Sequence, residues 1–190
     1  MSRAVAALWL ALTLCGARAS ADGGDFAHVM QLLGRHPHRR AHFTERQDLA
    51  ILDRPLESAG DLIYDAPDRL EERLSRPRRE RLIATGRELT VERNGRRRTV
   101  ELDRTPQIAA LIDSIRATLA GDSAALSRSF TVQFSGDVAR WTLRLAPRSA
   151  ALARQVAAIR IDGARDALLH VEIRQADGDR SSMRIEDETR

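Results

Sequence analysis

The 190-residue chain contains no lysine: its 31 basic residues are all arginines, set against 27 acidic ones. That absence, more than any charge excess, explains a pI near 10.6 at a formal net charge of only +4. Such a near-balance of charge makes nucleic acid a poor partner. Cysteine is almost as scarce, with Cys15 the sole example, and it falls in an N-terminal segment expected to be removed. The remaining chain would then have no disulfide, no thiol nucleophile and no cysteine-bound metal. Beyond that segment no apolar run approaches the roughly 20 residues that a membrane-spanning helix needs. Catalytic signatures are missing too. No serine sits in a nucleophile elbow, no glycine-rich loop is placed to cradle phosphate, and no recognisable motif pairs two carboxylates.

What is present begins at the N-terminus. Arg3 precedes an apolar run from Ala4 to Leu14, broken only by Thr13. Ala17-Arg18-Ala19 and Ala19-Ser20-Ala21 follow as small-x-small sites. This pattern predicts a secretory leader over 1–19, cleaved near Ala19 to Ala21, and a single domain over 20–190. Leu14 stands before Cys15 where a lipoprotein signal needs a small residue, so lipid anchoring is not expected. Loss of Arg3 and Arg18 takes the formal charge from +4 to about +2. The domain is expected to work outside the cytoplasm as a freely diffusing protein.

Past the leader, Phe26 to Gly34 reads as a short helix, stopped by Gly34 and Pro37. Strand patterns then recur at short intervals: 41–52, 58–65, 69–75, 81–85, 88–93 and 96–102. Leu70 and Leu74 share one face of the third, with Arg69, Glu71 and Arg73 on the other. Asn94-Gly95 is a two-residue hairpin signal. One long helix interrupts the series: Thr105 as cap, Pro106 in the first turn, and an apolar stripe of Ile108, Leu111, Ile112, Ile115 and Leu119 before Gly121. A brief helix is predicted over 123–128. The second half alternates again through Phe130, Val132 and Phe134, then Trp141, Leu143 and Leu145, with Pro147 ending that strand. A short helix over 149–156, a strand through Ile159 and Ile161, and a turn at Asp162-Gly163 follow. Leu169, Val171 and Ile173 lead to a turn at 177–179 and a last strand through Met183 and Ile185. Ten or eleven closely spaced strands with few helices predict a mainly β (α+β) fold, a large curved antiparallel sheet or barrel. A sheet with one apolar face and one helix to cover it encloses a space filled either by side chains or by a ligand.

Two local clusters have alternative readings. Arg76-Pro77-Arg78-Arg79-Glu80-Arg81 and Arg96-Arg97-Arg98 suit lipid headgroups or a membrane surface, and equally a hairpin edge kept by charge from self-association. His36, His38 and His42 are the only local histidine group, but Pro37, Arg39 and Arg40 suggest a solvated loop, and no metal is expected there. Asp61, Glu71 and Glu72 read as polar strand positions, and His28 and His170 as isolated.

Three segments resemble the LolA outer-membrane lipoprotein carriers: Ala41-His42-Phe43-Thr44-Glu45, Gly60-Asp61-Leu62-Ile63-Tyr64-Asp65-Ala66-Pro67, and Ile83-Ala84-Thr85-Gly86-Arg87-Glu88-Leu89. Phe130-Thr131-Val132, Trp141 to Pro147, Ile159, Leu169 to Ile173 and Asp177-Gly178 follow in the family's order. The resemblance implies an unclosed antiparallel β-barrel of about eleven strands with a helical lid. Its hollow would be lined by Phe43, Leu62, Leu70, Leu74, Leu89, Val91 and Trp141, with Ile108, Leu111, Ile112 and Ile115 on the lid. It further implies a monomeric periplasmic carrier, not an enzyme and without cofactor. That carrier would take acyl chains of a lipoprotein or another lipid from an inner-membrane exporter and pass them to an outer-membrane acceptor. Burial of about 0.8 kcal/mol per methylene suffices to hold such chains. A lipid-sensing or regulatory binding module of the envelope is the alternative, and an envelope enzyme acting on lipids a third. The sequence departs from the family twice. Ala66 stands where carriers place an arginine that hydrogen-bonds the lid, and Leu70, Glu72 and Leu74 stand where they carry aromatics.

Overall fold

A computed structural model describes residues 22–188. The expected leader and its cleavage site lie outside these residues. Eleven strands follow a first helix, α1 (Asp22–Leu33): β1 (His38–Asp48), β2 (Leu56–Asp65), β3 (Arg69–Arg76), β4 (Glu80–Thr85), β5 (Glu88–Arg93), β6 (Arg96–Glu101), β7 (Phe130–Gly136), β8 (Trp141–Pro147), β9 (Val156–Ala164), β10 (Ala167–Gln175) and β11 (Arg180–Asp187). A 3-10 turn (Leu102–Arg104), α2 (Pro106–Leu119) and α3 (Ser123–Ser129) join β6 to β7, and α4 (Ala150–Ala153) joins β8 to β9.

All strands form one antiparallel sheet in the order β6-β5-β4-β3-β2-β1-β11-β10-β9-β8-β7. β6 and β7 are its edges, so the sheet is not closed, and α2 and α3 carry the chain from one edge to the other. Leu89 of β5 and Leu145 of β8 nevertheless belong to one contiguous buried cluster. They sit eight strand positions apart, a span of about 38 Å in a flat sheet. The sheet therefore curls around α2, as large twisted sheets do.

The hairpins fix two ends. One, here called distal, carries the β1–β2 loop and the β3–β4, β5–β6 and β10–β11 turns, joined where Asp48 pairs with Arg180. The proximal end carries the β2–β3, β4–β5, β7–β8 and β9–β10 turns together with the end of α1. Asn94 and Gly95 both have positive φ, at 52° and 73°, as the tight turn requires.

Long-range packing overrides local pattern in several places. Gly163 lies inside β9, not in a turn, because the Trp141 ring occupies the space beside it: a Cβ there would sit 2.1 Å from the indole. The turn is displaced to Arg165, whose φ is 53°. A bulge between Leu168 and His170 turns Leu168 inward and leaves Leu169 on the surface. β1 stops at Asp48, which puts Leu49, Ile51 and Leu52 in a loop. The helix expected over 149–156 shortens to α4, and Val156 opens β9. Thr105 does not cap α2: its hydroxyl donates to the Leu102 carbonyl at 3.3 Å, whereas Asp122 caps α3 through Ala125 N at 2.8 Å.

Candidate functional site

Strand register sorts the core face of β2–β6 into three rows. Nearest the proximal end run Tyr64, Leu70, Ala84, Leu89 and Val100. The middle row is Leu62, Glu72, Leu82, Val91 and Arg98. The distal row is Gly60, Leu74, Glu80, Arg93 and Arg96. Polarity thus rises from a wholly apolar floor to a charged rim. The rows also differ in cover: Tyr64, Leu70, Ala84 and Leu89 are buried, while Leu62, Leu74, Leu82 and Val91 are only partly so.

Five of the residues expected to line a hollow, Leu62, Leu70, Leu74, Leu89 and Val91, share this half of the core face, and Phe43 of β1 adjoins it opposite Gly60. Trp141 stands apart on β8, against Gly163, its Nε1 donating to the Arg165 carbonyl at 3.0 Å. On α2, Ile112 and Ile115 are buried, Leu111 is half-buried and Ile108 is exposed. Leu82 and Val100, which alternation within β4 and β6 could have supplied, complete the face, as do Tyr64 and Ala84.

With α2 seated, side chains nearly fill the interior. A cavity of about 50 Å³ remains between Leu62, Leu70, Ile115, Leu119, Leu168 and Ile185. A cleft of about 170 Å³ opens at the distal end between Ile108 and Leu111 of α2 and Glu45, Gln47 and Leu49. A larger cleft of about 650 Å³ over β1–β2 is lined by such charged residues as Arg46, Glu57, Arg76 and Arg184, and one of about 780 Å³ along β7 mixes Phe26, Val132 and Phe134 with Gln133, Arg144 and Arg148. An acyl chain needs far more room than 50 Å³.

Polar contacts tether α2 at the proximal end. Arg116 Nη1 donates to the Gly86 carbonyl at 2.8 Å, and Arg87 Nη1 to Asp113 at 2.8 Å. Gly86 N donates in turn to Asp68, tying the β4–β5 turn to the β2–β3 turn. Here the arginine that bonds helix to sheet is thus on α2, and Ala66 contributes none. Nε and Nη2 of buried Arg116 have no hydrogen-bond partner among the described residues.

Glu72 is the acidic group of the middle row. Desolvation pushes its carboxyl up to about 8, and Glu45 and Glu80 add like-charge repulsion. Glu45 is itself held by the Ser58 and Ser181 hydroxyls, at 3.1 and 2.5 Å. On the opposite face, Glu71 is no ordinary polar strand position: it is 1% exposed beneath Arg69, Arg73 and Arg81. Burial alone would raise its pKa, but hydrogen bonds from Arg81, Arg73 and Arg69 outweigh that and bring it to about 2. The histidines do not converge. His36 pairs with Asp166, His38 with Asp65, and His42 with Asp61 and Glu188. Arg40 bonds the second oxygens of Asp61 and Glu188, so a cation already balances that cluster. His170 bridges Asp162 and Ser182.

The architecture is thus an open antiparallel sheet curled around an amphipathic helix. The chain belongs to the LolA-like outer membrane lipoprotein carrier protein family, whose description matches residues 18–186. Among solved structures it is similar to a LolA superfamily protein from Nitrosomonas europaea, at 9% identity over 86% of this chain and 90% of that one, with a TM-score of 0.46. The lipoprotein LppX of Mycobacterium tuberculosis matches at 10% identity, over 90% of this chain and 98% of that one, with a TM-score of 0.46. MucB matches at 14% identity and a TM-score of 0.49 over 88% of this chain, which spans only 58% of MucB. No protein with a curated functional description matches the sequence. Among the described residues no helix is long and apolar enough to cross a membrane.

Proposed function

We propose that this protein is a periplasmic carrier, exported by its leader, that shields the acyl chains of a lipoprotein or another lipid between α2 and the core face of β1–β5. It would hand that cargo from an inner-membrane donor to an outer-membrane acceptor. The observation that carries this reading is the uneven cover of the core face. Helix α2 is tethered by polar bonds at its proximal end, while its distal end, with Ile108 exposed and Leu111 half-buried, borders an open cleft over partly covered leucines and valines. Lifting that free end exposes a continuous apolar floor, and the cost of exposing it is recovered by acyl methylenes.

Binding of a fluorescent fatty acid to the purified protein tests the reading. Leu111→Asp places a charge on the half-covered part of the lid and should weaken binding at least tenfold, because that charge must be desolvated beside the acyl chain. Unchanged affinity would remove α2 from the site. Native mass spectrometry of protein purified from expressing cells should show a co-purified lipid or acylated peptide. A ligand-free protein that also ignores the fatty acid would overturn the carrier reading.

A further inference from the structure

The β1–β2 loop and the β3–β4 and β5–β6 turns all emerge at the distal end, and each carries unusual residues for a turn. Arg54 lies in the first, Arg76, Arg78 and Arg79 at the second, and Arg96 and Arg98 just past the third. All six are exposed, and none has a carboxylate partner among the described residues. Arg93 and Arg97 beside them are partly neutralised by Glu80 and Glu92. Asp53 and Glu57 are the opposing exposed carboxylates, Asp48 is paired with Arg46, and Asp177 and Asp179 are engaged in turn hydrogen bonds.

Aliphatic side chains stand among these arginines. Ile51 is 89% exposed, Leu52 41% and Leu56 49%, and Ile108 borders the same end at 37%. Four of the five large apolar side chains exposed on the described surface therefore gather at one end of the sheet. Charge protection of the β6 edge accounts for Arg96 and Arg98 but not for this gathering, since Arg54, Arg78 and Arg79 lie off the edge and exposed leucines work against solubility. Cations interleaved with protruding aliphatic chains are what an anionic bilayer surface takes up: guanidinium groups at the headgroup phosphates, methyl groups at the acyl boundary.

We propose that the distal end docks on anionic lipid bilayers. The surface is continuous with the cleft beneath Ile108 and Leu111, so a docked molecule presents the free end of α2 to the membrane. Its use for cargo transfer rests on the carrier reading, but the docking does not.

Co-sedimentation of protein purified from expressing cells with phosphatidylcholine vesicles, with and without phosphatidylglycerol, tests the docking. Binding should appear with the anionic lipid and fall as salt is raised. The variant Arg78→Ser/Arg79→Ser should partition about 25-fold less, roughly fivefold per arginine. Ile51→Ser/Leu52→Ser should bind less at every salt concentration. All four sites are exposed, and circular dichroism would verify that each variant remains folded. Equal binding to neutral and anionic vesicles, or full binding by the arginine variant, would overturn the docking. Fatty-acid binding in solution, measured on the same samples, should be unchanged by these substitutions. Docking that persists in a protein unable to take up the fatty acid would sink the carrier reading alone.

Discussion

Glu72 is the residue on which the lining's character turns. With its carboxyl pushed up to about 8, it stays protonated at neutral pH and lets an otherwise apolar row tolerate it. The unfolded chain ionises near the ordinary carboxylate value, so between there and about 8 the folded state holds the extra proton. Folding stability therefore falls as pH rises through that window, the reverse of a paired carboxylate such as Glu71. The same ionisation sets a charge beside Glu45 and Glu80 on the binding face. Fatty-acid affinity should drop as pH passes about 8, and Glu72→Gln should flatten that profile and raise Tm by a few degrees at alkaline pH. A profile that persists in the variant would locate the titration elsewhere. Periodicity placed Glu72 on the same face as Leu70 and Leu74, but its state depends on neighbours from β1 and β4 that local sequence does not name.

At the scale of elements, α2, the proposed lid, is held to the sheet by polar bonds at one end. The Arg116 bond to Gly86 is charge-assisted, but two of its buried donors go unpaired, so its contribution to folding is largely offset by desolvation. Arg116→Met should leave Tm within about 2 °C while releasing a bound fluorescent fatty acid into excess unlabelled lipid roughly tenfold faster in stopped flow. An unchanged release rate would mean that the tether does not govern opening. The helix itself was legible from its apolar stripe and Pro106, and so were the strands, from alternation and from Asn94-Gly95. The tether was not, because Arg116 and Gly86 are 30 residues apart and nothing local distinguishes one arginine among 31. Gly163 misleads for the same reason: Asp-Gly favours a turn locally, and only the Trp141 ring from β8 makes glycine necessary within a strand.

The whole molecule is two unlike halves joined at β1 and β11. The largest apolar side chains that are completely buried on strands, Phe130, Trp141, Leu143, Leu145, Val156, Ile159 and Ile161, all belong to β7–β9. On the core face of β2–β6 the proximal row, Tyr64, Leu70, Ala84 and Leu89, is buried, but Leu62, Leu74, Leu82 and Val91 beyond it are partly open. Close packing on one side and slack on the other would divide the labour under the proposed function: β7–β9 would hold the fold while β2–β6 and α2 part. On the proposed carrier reading, this asymmetry favours the expected lining residues on β1–β5 over Trp141. Hydrogen exchange should therefore show slow backbone amides through β7–β9 and faster ones through β3–β6 and α2 in the free protein. A saturating fatty acid should slow exchange in β2–β5 and α2 and leave β7–β9 unchanged, because those strands are already at the limit set by global unfolding. Protection gained in β7–β9 instead would place the ligand against Trp141 and reverse the assignment of the two halves.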